Sequence, residues 1–311
     1  MAANKLIAFA TCRPFPALAE DDVQLSTALT AAGYAVEAAP WDDEAIVWTK
    51  YRAVVIRSTW NYHLHPAAFR AWLHRLKNLG LSLFNPVDIL EWNMDKSYLE
   101  QLQQWGVPLP HTQFLDKNSQ PDLDSIFRAT GWQRAVIKPC ISATAYNTWV
   151  TRPDTAAADN SRLHELLRTD KYMIQEFMEE VEKDGEYSLL FFGQQYSHAV
   201  KKTARAGDFR VQEKYGGISL PTRPAPEIIR QATAILDKAV PFIDGSSGDD
   251  GSPGSALPLL YARVDGVIRQ GIFTLMELEL VEPTLFFDQH PLAVQQFVYF
   301  FNSSLTAASI C

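Results

Sequence analysis

The chain has 311 residues, 47 % of them hydrophobic, enough for roughly two domains with buried cores. Its formal net charge of -8 argues against a general nucleic-acid or membrane-surface binder, which needs a basic face. Three cysteines, Cys12, Cys140 and Cys311, stand far apart without C-x-x-C spacing, which disfavours a disulfide framework or a zinc site and fits a reducing cytoplasm.

Residues 6–10 form a short apolar run, read as a strand and too short for a secretory h-region. No later stretch is long enough to span a bilayer, so a cytoplasmic location with no membrane partner is expected. Residues 21–32 carry Val23, Leu25, Ala28, Leu29 and Ala32 as a helical stripe, and Gly33 is placed to stop it. Residues 34–39 and 53–56 read as strands. Residues 66–79 read as a helix with Phe69, Leu73 and Leu76 on one side, ended by Gly80. This β-α-β rhythm implies a parallel sheet, and ligands of such sheets gather beyond the carboxyl ends of the strands. Residues 11–14 and 57–62 sit there. Asn93 or Asp95 is placed to cap a helix running to about Trp105. Residues 134–138 and 172–176 read as strands, with a polar, small-residue segment at 142–148. Residues 187–192 and 195–200 flank a Gly193-Gln194 hairpin turn, and residues 227–243 read as a helix. Residues 245–255 have the composition of a flexible loop and read as an insertion. Residues 259–264 and 272–279 form a second hairpin around 269–271. Residues 292–305 close the chain as a helix whose Phe297, Phe300 and Phe301 read as core.

The strongest chemical signal is Arg263-Val264-Asp265 followed by Glu277-Leu278-Glu279. Alternate strand residues share a face, so the hairpin puts three carboxylates and one arginine together. Such a cluster repels itself unless a cation enters it, and oxygen-only ligands suit magnesium. A solvated charged face is the alternative. Lys138 ends an apolar strand where its ammonium could hold a phosphate, and Lys96 is a second candidate. Taken alone, each is more often a surface lysine than a ligand contact. Ser142 and Thr144 belong to a segment able to wrap phosphates with N–H groups and hydroxyls; it lacks glycine, but Asn147 tolerates the left-handed conformation. At Gln175, Glu176, Phe177 and Met178 a strand end could meet an adenine edge, and Glu186 could accept from a ribose. A charged turn explains these residues as well. Lys201, Lys202, Arg205 and Arg210 could neutralise polyphosphate as a lid, or form a solvated basic loop. His63 and His65 lack a partner at metal-ligand spacing. There is no P-loop or G-x-G-x-x-G motif.

The order of these pieces resembles the ATP-grasp superfamily, and within it the cycloserine synthetase (O-ureido-serine cyclo-ligase) group. The closer resemblance lies in residues 57–62, 92–96, 136–139, 207–213, 261–265 and 275–283. It implies an α/β (α+β lobes) ATP-grasp fold with a Rossmann-like N-terminal domain at 1–88, a small lobe at 89–174 and a large lobe at 175–311, the two lobes clasping ATP. It implies ATP and Mg2+ as cofactors. Lys96 and Lys138 would contact phosphates, Gln175 to Met178 adenine, and Glu186 ribose. Asp265, Glu277 and Glu279 would be magnesium ligands, with Arg263 and Arg210 steadying the transferred phosphoryl group. Arg13, Arg57, Ser58, Thr59, Trp60, Asn61 and Tyr62 are then the candidates for holding a substrate's carboxylate and amine, with interdomain packing as the alternative. The implied reaction is an ATP-dependent amide-type C–N bond closure on a small amino-acid-like substrate through an acyl phosphate, in antibiotic biosynthesis for the group it resembles. A homodimer is consistent with the resemblance. The competing expectation is a non-catalytic ATP-binding regulatory or assembly protein of the same fold.

Overall fold

The computed structural model describes residues 5–205, 207–208, 210–239 and 259–307. The loop expected at 245–255, the last turn of the helix expected to reach 243, Phe209 and Cys311 lie outside the described residues.

The first sheet holds β1 (Leu6–Thr11), β2 (Ala35–Pro40), β3 (Ala53–Ile56) and β4 (Ser82–Phe84), in the order β2-β1-β3-β4, all parallel. The connecting helices are α1 (Glu20–Ala31) and α2 (Pro66–Asn78), the latter with Pro66 in its first turn, where the missing N–H costs nothing. Strand alternation divides the sheet's two faces. Ile7, Phe9 and Val55 pack with Leu25 and Leu29 of α1, whereas Ala8, Ala10, Val54 and Ile56 pack with Phe69, Trp72 and Leu73 of α2. Both faces are covered, which is why β1 and β3 read as unbroken apolar runs.

Two helices follow, α3 (Val87–Met94) and α4 (Tyr98–Gln104). Asn93 therefore lies inside a helix and is not a cap. Asp95 breaks the helical path in extended conformation, and its carboxylate accepts from the Ser97 N–H at 2.9 Å. The second sheet, β5-β8-β6-β7, is antiparallel and uses β5 (Thr112–Leu115), β6 (Ala135–Pro139), β7 (Trp149–Thr151) and β8 (Tyr172–Glu176). Helices α5 (Leu123–Thr130) and α6 (Ala156–Leu167) bury Phe127, Leu163 and Leu167 against Ile137 and Ile174. A division at 174 falls inside β8, which runs on to Glu176 between β5 and β6.

The short helix α7 (Glu179–Lys183) leads into the third sheet. Its strands are β9 (Glu186–Phe192), β10 (Gln195–Thr203), β11 (Ile218–Thr222), β12 (Tyr261–Arg269) and β13 (Ile272–Glu279), in the antiparallel order β11-β10-β9-β12-β13. Gly193 and Gln194 both take positive φ, +53° and +66°, as the expected two-residue hairpin requires. Helix α8 (Pro226–Ala239) buries Ile235 and Leu236 against this sheet. The last helix, α9 (Ala293–Ala307), returns to the N-terminal sheet: Phe297 and Phe301 share one core with Phe9, Leu29 and Phe192. Among the described residues no helix is long and apolar enough to cross a membrane.

Candidate active site

The three sheets converge on a cavity of about 580 Å3. One end is apolar, walled by Val136, Phe177, Met178, Val181, Val211 and Met276. The other end is charged and is built around the β12–β13 hairpin.

The register places Arg263 opposite Glu279 and Asp265 opposite Glu277, with a bulge after Asp265. All four side chains line the cavity, as alternation requires. Asp265 is already saturated. Its carboxylate accepts from Ser188 Oγ at 2.6 Å, Lys202 Nζ at 2.9 Å and Arg263 Nε at 2.9 Å. Burial opposes its charge, yet Arg263 and Lys202 hold its pKa far below the ordinary carboxylate range. Lys202 also pairs with Glu186 at 2.5 Å, and Arg263 pairs with Glu279. Burial likewise opposes the charge on Glu277, but Lys96 at 3.1 Å and the nearby Lys138 keep its carboxyl below its ordinary value. Glu279 and Glu282 lack enough compensation. Burial, together with Asp265 and Glu277, pushes Glu279 up to about 7, and burial with the charge of Glu279 pushes Glu282 up to about 8.

Lys96 is buried and also donates to the Ser142 carbonyl at 2.8 Å, so it ties the acidic hairpin to the 142–148 loop. Thr144, Ala145 and Asn147 take positive φ in that loop. The left-handed role expected of Asn147 is met, and two further residues share it despite the steric cost of a Cβ there. Lys138, on β6, faces the same cavity and forms no hydrogen bond or ion pair with any described residue. Burial lowers its pKa, and the repulsion of Lys96 adds to that beyond what Glu277 restores.

The acidic strand is an edge strand, and its open side is covered by side chains from the α3–α4 region. Asn93 donates to the Leu278 carbonyl at 2.7 Å and accepts from the Leu280 N–H at 2.8 Å. The Tyr98 hydroxyl donates to the Leu278 carbonyl at 3.0 Å, and the Leu278 N–H donates to that hydroxyl at 2.8 Å. Asn85 accepts from the Leu260 N–H at 2.8 Å and donates to the carbonyls of Tyr261 and Leu280, both at 2.9 Å. These amides fix the backbone that carries Glu277 and Glu279.

At the apolar end, Phe177 lies under the Arg134 guanidinium, 3.7 Å from the ring centroid, and Glu179 and Glu182 hold that arginine in place. Gln175 lines the cavity and donates to Thr112 Oγ1 at 2.9 Å. Glu176 does not line it, because Arg269 holds its carboxylate at 3.0 Å. Met178, Glu186, Lys202, Ser142 and Thr144 also line it. Arg210 does too, paired with Asp208 at 2.7 Å and stacked on Tyr215, whose hydroxyl donates to the Thr144 carbonyl at 3.3 Å.

The residues expected on the substrate side divide. Trp60, Tyr62 and Arg57 line the cavity. Arg57 is buried and committed to Asp22 at 2.5 Å, so much of its charge serves packing inside the N-terminal domain. Arg13 lies outside, its side chain 60 % exposed and paired with Asp43. Asn61 accepts from the Trp41 indole and donates to Asp42, both at 2.7 Å, which makes it a packing residue. Ser58 and Thr59 are buried behind the cavity wall. Sequence reasoning missed Glu282, Asn85, Tyr98 and Arg134. Only Glu282 carried a signal, as the next acid after the acidic strand.

Among the described residues no three His, Cys, Asp or Glu side chains form a ready-made metal-holding group. Asp265, Glu277 and Glu279 are therefore not a preassembled cage, because Lys202, Arg263 and Ser188 occupy Asp265. The donor chemistry still fits magnesium, which takes one or two carboxylates and completes its shell with phosphate oxygens and water. The undercompensated charge around Glu279 and Glu282 is what such an ion would relieve.

Residues 7–85 match the family described as the N-terminal domain of the D-cycloserine synthetase DcsG. Over 276 residues the chain is 29 % identical to the cycloserine biosynthesis protein DcsG of Streptomyces lavendulae, covering 84 % of this chain and 86 % of that protein. A crystal structure of D-cycloserine synthetase DcsG superposes with a TM-score of 0.83 at 25 % identity, over 96 % of this chain and 99 % of that one. A D-alanine–D-alanine ligase from Bacillus anthracis, solved with ATP, shares the fold at 12 % identity and a TM-score of 0.64, over 98 % and 97 % of the two chains. The fold is that of the ATP-grasp ligases, and the likeness to D-cycloserine synthetase over nearly the whole chain makes it a ligase of that kind. Within that fold it is similar in sequence to D-cycloserine synthetase DcsG, and residues 7–85 match that enzyme's N-terminal domain.

Proposed function

We propose that the enzyme uses ATP and magnesium to close an amide-type C–N bond on a small amino-acid-like substrate, with O-ureido-serine to cycloserine as the candidate reaction. The substrate carboxylate oxygen attacks the γ-phosphorus, ADP leaves, and an acyl phosphate forms. A nitrogen nucleophile then attacks the acyl carbon and phosphate departs; with O-ureido-serine the ring nitrogen also loses its carbamoyl group to water, as carbon dioxide and ammonia, to give cycloserine. Glu277 and Glu279 would hold magnesium, with Asp265 joining if Lys202 turns to phosphate. The ion would supply charge neutralisation along the phosphates. Lys96 and Lys138 hold phosphate oxygens, Arg263 and Arg210 offset charge on the transferred group, and Phe177 and Met178 wall the adenine. The first sheet supplies the substrate side, and the second and third clasp the nucleotide. Enclosure between them excludes the water that would hydrolyse the anhydride.

The observation that carries this reading is Lys138. A half-buried ammonium without a protein partner stands in the same cavity as acids that lack sufficient cations. Such a pattern suits a ligand that brings both an anion and a metal. The test incubates the protein with ATP, magnesium and a metabolite panel that includes O-ureido-serine, following ADP, phosphate and product mass. Substrate-dependent ADP release with a dehydrated or cyclised product supports the proposal. Tight nucleotide binding with no release across the panel favours the non-catalytic alternative.

A further inference from the structure

Two polar side chains that line the cavity make no side-chain hydrogen bond or ion pair with any described residue. Glu282, in the segment after β13, forms no hydrogen bond or ion pair with any described residue. Tyr62 is 5 % exposed, lines the same cavity from the N-terminal domain, and its hydroxyl bonds to no described residue. Among surrounding charges, Glu282 acts most strongly on the Tyr62 phenol.

The cations near Glu282 are already committed. Lys96 serves Glu277 and the Ser142 carbonyl; Arg263 serves Asp265, Glu279 and the Thr284 carbonyl. A metal ion shared by Glu277 and Glu279 would still leave Glu282 as an additional carboxylate. This corner is rich in acceptors and poor in donors. An anionic group would be repelled there, and an apolar group would leave a buried carboxylate unpaired at high cost. A primary ammonium fits: it carries one positive charge and three N–H donors, enough for the carboxylate and the phenol oxygen together.

We propose that Glu282 and Tyr62 form the subsite for the substrate's primary ammonium. This rests on the ligase reading for the identity of the reacting group, but it concerns binding and can be measured without turnover. Glu282 then selects among carboxylic acids: those lacking an ammonium leave it unpaired.

The test uses the full chain with magnesium and a non-hydrolysable ATP analogue, titrated calorimetrically with serine and with glycerate, each as both enantiomers. The two probes share a carboxyl and a terminal hydroxyl and differ in the ammonium. Wild type is expected to bind one serine enantiomer at least tenfold more tightly than either glycerate. Glu282→Gln is expected to abolish that preference without lowering the unfolding temperature, and Tyr62→Phe to reduce it. Equal affinity for the probes, no measurable binding of either, or a preference that survives in Glu282→Gln overturns the proposal. Failure of ADP release over the panel, with the preference intact and lost in Glu282→Gln, overturns the ligase reading alone.

Discussion

Replacing Lys138 by methionine separates a functional charge from a structural one. The ammonium makes no ion pair or hydrogen bond with any described residue, and burial with the repulsion of Lys96 holds its pKa below the ordinary lysine value despite the attraction of Glu277. A lysine whose pKa is depressed on folding carries a charge that opposes folding at neutral pH. Methionine keeps the stem and removes that charge, so the apo protein should unfold at an equal or higher temperature. Nucleotide binding should respond the opposite way. A charge-assisted bond to phosphate contributes about 1.5–3 kcal/mol, and at about 1.4 kcal/mol per tenfold its loss weakens binding roughly 10- to 150-fold. Scanning calorimetry without ligand and titration with a non-hydrolysable ATP analogue plus magnesium measure the two effects. A lower unfolding temperature with nucleotide affinity within twofold of wild type would refute this reasoning.

Three further outcomes are expected. Asn93→Ala leaves the Leu280 N–H stranded, while the Leu278 carbonyl keeps the Tyr98 hydroxyl. Denaturant unfolding should show a loss of about 1–3 kcal/mol, with kcat reduced through displacement of Glu277 and Glu279; wild-type stability would show that the edge needs no such cover. Glu279 and Glu282 have pKa values of about 7 and about 8, above those of unfolded glutamate, so the folded state keeps protons that the unfolded state has released. Apo stability should therefore fall as pH rises from 6.5 to 8, by at most about 1.4 kcal/mol per pH unit for each proton kept. His198, lowered to about 4, is neutral in both states over most of that window and does not mask the effect. The decline should be shallower in Glu282→Gln, and identical slopes in the two proteins would contradict it. Arg134→Ala removes the cation over Phe177, a contact of about 0.5–1 kcal/mol, so ATP affinity should fall roughly two- to fivefold. Tripolyphosphate, which has no base, should bind as before; equal loss for both ligands would move Arg134's role away from the base.

The sequence was most legible where a pattern is local. The apolar β3, the Gly193-Gln194 turn and the alternating charges of β12 and β13 each follow from neighbours a few residues apart, and each stands as expected. The stripe in α1 holds only in part: Leu25 and Leu29 are buried, but Val23 is exposed and Ala32 lies past the helix end. Of the two cap candidates Asn93 and Asp95, Asn93 lies inside α3 and its partners are 185 residues or more along the chain, which no local pattern shows. The loop after β3 was correctly placed at the mouth of the sheet. Which way its side chains point depends on Asp22, Trp41 and Asp42, so Arg57 and Asn61 became partly or wholly packing residues. The three-carboxylate metal set was legible as a face but not as a charge balance. Lys202 and Ser188 reach Asp265 from β10 and β9, and no spacing within the hairpin announces them. Strands β5, β7 and β11 (TQFL, WVT and ISLPT) lack an unbroken apolar run like that of β3, so their composition did not single them out.

A metal-bound nucleotide tail between the acidic hairpin and Lys138 is the central requirement of the proposed reaction. Crystals grown with manganese and a non-hydrolysable ATP analogue test this directly through manganese anomalous scattering. The predicted result is a peak within coordination distance of the Glu277 and Glu279 carboxylates, with phosphate oxygens reaching Lys138. A peak elsewhere, or a nucleotide ordered outside the cavity, would contradict the account.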